Sequence, residues 1–359
     1  MTDDALRRTA GPGSGPGGAP TAIALSPILS ARYRARDLEL IRAAAPGARI
    51  VTLSREGLTD EPVEDVEVLL RGWLSSDAFD RLLARAPRLN YVHSASAGVE
   101  RALTPAARER GIVITNARGV FSRPIAEYVL MMILAISRRL PGLLELQRER
   151  TWQPLEGVEL RDVTVGIVGL GSIGRAVGAL ATAFGCRVVA VRRRAEGGST
   201  SRIAVGPDDD ATRSFGEALL DRVGGPETLP ELLAESDFVV LAAPLTPETE
   251  DMIDEAALAA MKATAWLINI ARGRLVDERA LLDALEAGQI GGAVLDTFRD
   301  EPLPPSSPFY DLPNVIVTPH TSWSSGRVLD RSVELFCDNL RRYATGEPLL
   351  NVVDPAAGY

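Results

Sequence analysis

Three polar side chains in the second half of the chain have the types that acid–base chemistry on a substrate with a carboxylate requires. They are Arg272, Glu301 and His320, and each follows a β-rich segment. A guanidinium can hold a carboxylate through two hydrogen bonds and polarise the adjacent carbonyl. An imidazole titrates near neutrality, and a carboxylate beside it orients it and favours its charged form. The trio therefore predicts a substrate cation, a proton donor and the partner of that donor.

A glycine loop, GLGSIG, offers Gly169, Gly171 and Gly174 in the GxGxxG pattern, with Ser172 and Ile173 between them. It follows a buried apolar run and opens a segment whose apolar residues trace one helical face. The first glycine permits the tight turn, the second a close backbone approach to a pyrophosphate, and the third helix–sheet packing. The pyrophosphate is expected at the positive N-terminus of the helix. The loop predicts a dinucleotide site.

The strand after this loop bears on the choice of cofactor. NAD-preferring sites usually end it with an acid that binds the ribose 2′-hydroxyl. Here the run VVAVRRR places Arg192 at that point, followed by Arg193. Two arginines can hold a 2′-phosphate through charge-assisted hydrogen bonds. The sequence favours NADP(H) over NAD, and a solvated basic turn is the other interpretation.

Two series of short β-rich runs alternate with helical stretches. The alternation predicts an α/β fold with two doubly wound, parallel-sheet (Rossmann-like) domains. The first series has runs at 22–26, 48–53, 66–70, 90–94 and 111–115, and the second at 162–170, 187–191, 237–243, 265–270, 292–296 and 314–318.

Helical stretches are predicted at 124–140, as a connector between the two series, and at 326–343. Residues 1–20, rich in Gly and Pro, predict a disordered tail. Residues 195–227 predict a loop insertion with a short helix at 215–223. The final segment at 348–353 is expected to return to the first domain.

Composition excludes several classes of protein. The net charge of −9 argues against binding to a nucleic-acid backbone, which needs a basic face. Two cysteines, Cys186 and Cys337, are too few for a disulfide scaffold, and no cluster has metal-ligand spacing. The most apolar run, at 128–136, is too short to cross a bilayer, and the N-terminus lacks the apolar core of a secretory signal. We expect a cytoplasmic protein with no metal, membrane or nucleic-acid partner.

The motifs GLGSIGR, APLTPET, ARGRLVD and TPH together resemble the D-isomer-specific 2-hydroxyacid dehydrogenase family. The resemblance extends from about Thr21 to Asp354. It implies a substrate domain at 21–122 completed by 323–359, an NAD(P)-binding domain at 123–322, a cleft between them, and a homodimer. It also implies hydride transfer between a nicotinamide cofactor and a 2-oxo or 2-hydroxy acid, glyoxylate and hydroxypyruvate among the candidates.

The resemblance assigns further site residues. Gly98 and Val99, in SASAGVE, are expected to present backbone N–H groups to the substrate carboxylate, beside Arg272. Asp296 is expected to contact the nicotinamide carboxamide. The remaining expectations are cofactor contacts for Pro244 and Ala271, pocket-lining positions for Arg71, Gly72, Trp73 and Trp323, and a structural place for His93.

Two alternatives stay open. The first is a formate- or phosphite-type dehydrogenase of the same fold, although formate enzymes pair the histidine with Gln where this chain has Glu301. The second is a non-catalytic dinucleotide sensor of the corepressor kind, which keeps the same motifs. Turnover with a panel of 2-oxo acids separates these classes.

Overall fold

A computed structural model describes residues 17–28, 33–193 and 220–355. The chain divides into two compact units. Among the described residues, unit 1 comprises 17–28, 33–120 and 326–355, and unit 2 comprises 121–193 and 220–325. The boundaries between the units, at 120/121 and 325/326, lie two and three residues from the domain boundaries expected at 122/123 and 322/323.

Unit 1 is built on a five-stranded sheet whose neighbouring strands are all parallel, in the order β2-β1-β3-β4-β5. Buried apolar side chains cover both of its faces, as expected for parallel strands connected through helices. The elements are β1 (Ala22–Leu25), α1 (Ala35–Ala44), β2 (Arg49–Thr52), β3 (Val66–Arg71), α2 (Ser76–Arg85), β4 (Tyr91–Ser94), α3 (Pro105–Glu109), β5 (Val113–Asn116) and the C-terminal helix α10 (Val328–Thr345).

The C-terminal segment also belongs to this unit. Val352 forms an antiparallel bridge with Thr115, and the N–H of Val353 donates to the carbonyl of Ile114 at 2.9 Å. The segment thereby pairs with β5, at the edge of the sheet. It is preceded by α10, whose Phe336 and Leu340 are fully buried.

Unit 2 contains a seven-stranded parallel sheet in the order β12-β11-β10-β9-β6-β7-β8. The direction in which strands are added reverses between β6 and β9. The chain first adds β7 and β8 on one side of β6, and then adds β9 to β12 on its other side. The elements are α4 (Ser122–Ser137), α5 (Leu140–Arg148), β6 (Thr164–Val168), α6 (Ser172–Ala183), β7 (Arg187–Val191), β8 (Arg222–Gly224), α7 (Leu229–Glu235), β9 (Phe238–Leu241), α8 (Glu255–Ala260), β10 (Trp266–Asn269), α9 (Glu278–Glu286), β11 (Gly292–Leu295) and β12 (Val315–Val317).

Two local predictions are wrong in part. The helix expected at 124–140 ends at Ser137, because Arg139 adopts a left-handed conformation (φ 58°), and α5 starts immediately after it. The helix expected at 215–223 lies partly outside the described residues, and its described end enters strand β8, which pairs with β7. The described end of the 195–227 insertion is therefore part of the sheet.

The predicted fold class of two doubly wound parallel sheets is confirmed. In such sheets ligands bind at the carboxyl ends of the strands, beside the point where the strand order reverses. The loops after β6, β9, β10, β11 and β12 are thus the places where site residues are expected. Among the described residues, no helix is both long enough and apolar enough to span a bilayer.

Candidate active site

The glycine loop follows β6 and begins α6. Gly169 has φ 104°, and a Cβ there would lie 2.5 Å from the backbone nitrogen of Ala243. A Cβ on Gly174 would lie 2.1 Å from the carbonyl oxygen of Gly169, so both glycines are required by packing. Gly171 differs, because a Cβ there meets nothing within 4 Å. It is the N-cap of α6, and the open space beside it fits a pyrophosphate held by the first turn of the helix.

The end of β7 carries the two arginines expected near the ribose. The N–H of Arg192 donates to the carbonyl of Gly224 at 3.0 Å, which ties this turn to β8. Arg193 is exposed, and its charge contributes to lowering the pKa of Glu248, after the larger effect of the Thr246 hydroxyl. Glu248 lies in the APLTPET loop, and the sequence analysis missed it. The contact of Arg192 or Arg193 with a 2′-phosphate stays a prediction.

His320 and Glu301 form a pair in unit 2. Nδ1 of His320 lies 2.8 Å from Oε2 of Glu301, and the second carboxylate oxygen accepts the N–H of Phe298 at 3.0 Å. The side chains are 41% and 37% exposed, so the pair is accessible to a ligand. With Nδ1 turned to the carboxylate, Nε2 is the ring nitrogen available to exchange a proton with a substrate.

Arg272 acts on this pair electrostatically. Partial burial tends to raise the pKa of Glu301, but the hydrogen bonds from His320 and Phe298 and the charges of His320 and Arg272 outweigh it. The pKa of Glu301 therefore lies below its ordinary value. Arg272 thus lies near enough to Glu301 to help lower its pKa, and all three predicted residues follow strands at the carboxyl edge of the sheet in unit 2.

The turn that carries His320 has an unusual backbone. His320 has φ 49°, in the left-handed region that costs an L residue roughly 1–2 kcal/mol. Neighbouring hydrogen bonds hold it there. The indole N–H of Trp323 donates to the carbonyl of His320 at 2.7 Å, and Asp296 accepts the N–H groups of Thr321 and Ser322 at 2.8 and 3.0 Å.

Asp296 follows β11, as expected, and its side chain is fully buried. Besides the two backbone N–H groups, it accepts the hydroxyl of Thr318 at 2.6 Å. Its carboxylate thus fastens the turn around His320. The contact with a nicotinamide carboxamide stays a prediction, and the bonds to the turn are an additional role that the sequence did not reveal.

The loop after β10 fixes Arg272. Asn269, at the end of the strand, donates to the carbonyl of Arg272 at 2.9 Å and accepts the N–H of Ala271 at 3.1 Å. Nη1 of Arg272 donates to the carbonyl of Ala271 at 2.7 Å. A Cβ on Gly273 would lie 2.0 Å from the carbonyl carbon of Phe298, so this loop packs directly on the backbone that leads to Glu301. Asn269 and Gly273 are structural supports of this loop that the sequence analysis missed.

The predicted substrate loop of unit 1 follows β4. The side chain of Val99 is buried, whereas Gly98 is partly accessible. The carbonyl of Gly98 accepts the hydroxyl of Ser96 at 2.6 Å. Within the described residues, the N–H groups of Gly98 and Val99 donate no hydrogen bond. The binding of an anion by these two N–H groups, as a backbone nest, stays a prediction.

The residues expected to line a pocket have varied surroundings. Arg71 is 3% exposed, and its Nη2 donates to the carbonyls of Leu74 and Arg101, so it joins two turns inside unit 1. Gly72 packs on the carbonyl of Pro27, which leaves no room for a side chain. Trp73 is exposed. Of these three, only Trp73 has an exposed side chain.

Of the remaining expected residues, Pro244 is exposed after β9, and its carbonyl accepts the hydroxyl of Thr249 at 2.7 Å. Ser172 is buried and Ile173 is partly accessible in the first turn of α6. His93 is fully buried in unit 1, with Nδ1 2.7 Å from the hydroxyl oxygen of Thr115.

Comparisons with known proteins agree with this geometry. The family model of the NAD binding domain of D-isomer specific 2-hydroxyacid dehydrogenases matches residues 130–322. A glyoxylate reductase of Korarchaeum cryptofilum is 33% identical over 89% of this chain and 90% of its own length.

Solved structures show the same likeness. A D-isomer specific 2-hydroxyacid dehydrogenase of Xanthobacter autotrophicus, in complex with NADPH and MES, matches 95% of this chain and 100% of its own, with 31% identity and a TM-score of 0.78. An NADPH-dependent glyoxylate/hydroxypyruvate reductase of Sinorhizobium meliloti, in complex with NADP and sulfate, matches 94% and 100%, with 26% identity and a TM-score of 0.75.

The fold, the glycine loop and the matches to known proteins together define an NAD(P)-dependent oxidoreductase that acts on CH–OH groups. The chain belongs to the D-isomer specific 2-hydroxyacid dehydrogenase family. The resemblance inferred from the sequence motifs is confirmed, as is the expectation of an NAD(P) cofactor.

Proposed function

We propose that the protein reduces short 2-oxo acids, of the glyoxylate and hydroxypyruvate class, to D-2-hydroxy acids with NADPH. The observation that carries this proposal is the hydrogen bond between His320 and Glu301 beside Arg272. A cation and an acid–base pair at the carboxyl edge of a dinucleotide-binding sheet are what a 2-oxo acid needs for reduction.

Each residue of the trio has a separate task. A nicotinamide cofactor held at the Gly169–Gly174 loop would supply the hydride that C2 of the substrate requires. Arg272 binds the substrate carboxylate and polarises the carbonyl, so that negative charge develops on an oxygen next to a cation. His320 gives the proton on Nε2 to that oxygen as the C–H bond forms. Glu301 keeps Nδ1–H bonded throughout and stabilises the imidazolium before transfer.

Gly98 and Val99 carry a separate proposal, for the substrate loop of unit 1. Their backbone N–H groups bind the substrate carboxylate, and the buried side chain of Val99 keeps the turn in place. This contact depends on backbone shape. A substitution of Gly98 by Pro removes one donor and is expected to raise KM for the acid more than it lowers kcat.

The choice of acid and cofactor has separate support. Two of the three similar proteins named above are a glyoxylate reductase and an NADPH-dependent glyoxylate/hydroxypyruvate reductase. NADPH or NADP accompanies both of the solved structures. In this chain Arg192 stands where an acid would favour NAD. The preference for NADPH rests on that arginine.

The Glu301–His320 pair also bears on the alternative of a formate-type enzyme. The sequence expectation for such an enzyme is Gln beside the histidine, and a neutral amide does not stabilise an imidazolium as a carboxylate does. Glu301 holds His320 at 2.8 Å, which favours a reaction in which the histidine carries a proton.

A substrate panel tests the proposal. Oxidation of NADPH and NADH is followed by absorbance with glyoxylate, hydroxypyruvate, a longer 2-oxo acid, and, in the reverse direction, formate and phosphite. We expect turnover with the 2-oxo acids, with kcat/KM on the order of 10⁴ M⁻¹s⁻¹ or more for the best of them. Turnover with formate or phosphite alone, or dinucleotide binding without turnover, would contradict the proposal and support one of the two alternatives.

We further propose a homodimer and a cytoplasmic location. Helix α5 buries none of its residues, and it exposes Leu140, Leu143 and Leu144, with Trp152 exposed shortly after it. A contiguous apolar surface of this kind is typical of an interface. Light scattering should give the mass of two chains, and the double substitution Leu143→Glu, Leu144→Glu should give the mass of one.

The cytoplasmic location is supported by the two cysteines. They are free and buried, in agreement with a reducing compartment.

A further inference from the structure

Three side chains connect helix α4 to the turn that carries His320. The hydroxyl of Tyr128, on α4, lies 2.7 Å from Oγ1 of Thr318. Thr318 in turn donates to Oδ1 of Asp296 at 2.6 Å. Asp296 accepts the two backbone N–H groups that follow His320. All of these residues belong to unit 2.

The direction of both side-chain bonds is fixed. A carboxylate can only accept, so the single hydroxyl proton of Thr318 points at Asp296. Thr318 is then the acceptor of the second bond, and Tyr128 is its donor. Burial, together with the charge of Asp296, raises the pKa of Tyr128 to about 12 despite the opposing bond to Thr318, so the phenol keeps the proton that it donates.

We propose that Tyr128 is a positioning residue for His320, acting through Thr318 and Asp296. The phenol orients the Thr318 hydroxyl, that hydroxyl orients the Asp296 carboxylate, and the carboxylate holds the left-handed turn from which the imidazole reaches its substrate. The proposal rests on the role assigned above to His320. It assigns Tyr128 no contact with substrate or cofactor.

Helix α4 also supports the cofactor helix, but by different contacts. Ile125 and Val129 of α4 share a buried apolar cluster with Ala176 and Val177 of α6. Removal of the Tyr128 hydroxyl leaves this apolar packing intact. The effect of Tyr128→Phe should therefore fall on the proton-transfer step and spare the pyrophosphate site at the start of α6.

A matched pair of substitutions tests the proposal. Tyr343 is a buried tyrosine of unit 1 whose hydroxyl also makes one side-chain bond, to Oδ1 of Asn90 at 2.9 Å. We expect Tyr128→Phe to lower kcat about 3- to 10-fold, the usual net worth of one hydrogen bond, with a smaller change in KM for NADPH. Tyr343→Phe should leave kcat unchanged.

A double-mutant cycle separates positioning from general destabilisation. Thr318→Val removes the middle of the chain, so Tyr128→Phe should have no further effect on kcat in that background. Thr318→Ser keeps the hydroxyl and should retain the parent kcat. Additive effects of Tyr128→Phe and Thr318→Val would overturn the proposal, because they would mean that the phenol acts by another route.

A spectroscopic measurement decides the matter without turnover. The chain has two histidines, so the ring Hε1 resonance of His320 can be assigned by its absence in His320→Ala. We expect this resonance to move or broaden in Tyr128→Phe and to keep its position in Tyr343→Phe. An unmoved resonance, or a kcat within about 1.5-fold of the parent, would overturn the proposal. A parent without 2-oxo acid turnover would contradict the proposed function, and the resonance would still test the positioning role.

Discussion

The two histidines of the chain lie in opposite surroundings. His93 is fully buried in unit 1, next to the ring of Phe336 at 5.6 Å, and its Nε2 meets no hydrogen-bond partner in the described part of the chain. His320 is 41% exposed in unit 2 and is paired with Glu301. Burial lowers the pKa of His93 to about 3, so it stays neutral at physiological pH.

The comparison shows what distinguishes a proton donor from a packing residue. His93 lies within β4 and His320 follows β12, and both imidazoles make one bond through Nδ1. Only His320 has a carboxylate partner, access to a ligand and a backbone turn held by several hydrogen bonds. A histidine is suited to catalysis by these surroundings, and the residue type alone does not decide it.

The largest expected effect is the loss of the His320 imidazole. His320→Ala should lower kcat roughly 10²- to 10⁴-fold, the range that general acid catalysis contributes, with little change in cofactor affinity. Steady-state kinetics and a NADPH titration measure the two quantities. The matched control is His93→Gln, which should keep kcat within about threefold of the parent. Equal losses in the two variants would remove the distinction between the histidines.

The next effect concerns the cation of the site. Arg272→Lys keeps the charge but loses the bidentate hydrogen bonding of a guanidinium to a carboxylate. Each lost hydrogen bond to a charged group weakens binding roughly 10- to 150-fold. We expect KM for the 2-oxo acid to rise strongly and kcat to fall as well. Unchanged kinetics would leave Arg272 as a structural residue of the turn after β10.

His93 should govern the pH dependence of stability instead. Its folded-state pKa lies below the ordinary value of about 6.5, so as the pH falls the unfolded chain takes up a proton that the folded chain refuses. The free energy of unfolding should fall by about 2 kcal/mol between about pH 7.5 and pH 5 on this account. The lowered pKa of Glu301 acts at lower pH, outside this interval.

Chemical denaturation of the parent and of His93→Gln at each pH measures this contribution as the difference between the two curves. The difference in the free energy of unfolding between the parent and His93→Gln should shrink as the pH falls. Only the parent has a His93 that must stay neutral in the folded state, so only the parent loses this contribution. Parallel curves would contradict the assignment.

The smallest effect concerns the cofactor. Arg192→Asp should reduce kcat/KM for NADPH and improve the relative use of NADH, by about 10-fold in the ratio, since the position is solvent-accessible and screened. Glu248→Gln should act in the opposite direction, because it removes a carboxylate near Arg193. A parent enzyme that already prefers NADH would contradict this prediction.

Much of this architecture was predictable from local patterns. Apolar runs located the strands of both sheets, and glycine spacing with the ARGRLVD and TPH motifs located Arg272, His320 and the dinucleotide loop. Strand β8 escaped prediction because RVG is short and partly polar. The end of α4 escaped because Arg139 adopts a left-handed conformation that nothing in an arginine signals.

The supporting residues could not be predicted for a different reason. Tyr128 and Thr318 are 190 positions apart in the sequence, and only the packing of α4 against the sheet brings their hydroxyls together. Gly273 is required by the backbone of another loop, at Phe298. Asn269 is the partial exception, since an amide two residues before Ala271 is a common local turn pattern.

The pH dependence of kcat/KM in both directions of the reaction tests the central claim most directly. If His320 gives a proton during reduction and takes one during oxidation, reduction should slow as the pH rises and oxidation should slow as it falls. Both limbs should disappear in His320→Ala and persist in His93→Gln. Limbs that run in the same direction, or that survive in His320→Ala, would contradict the account.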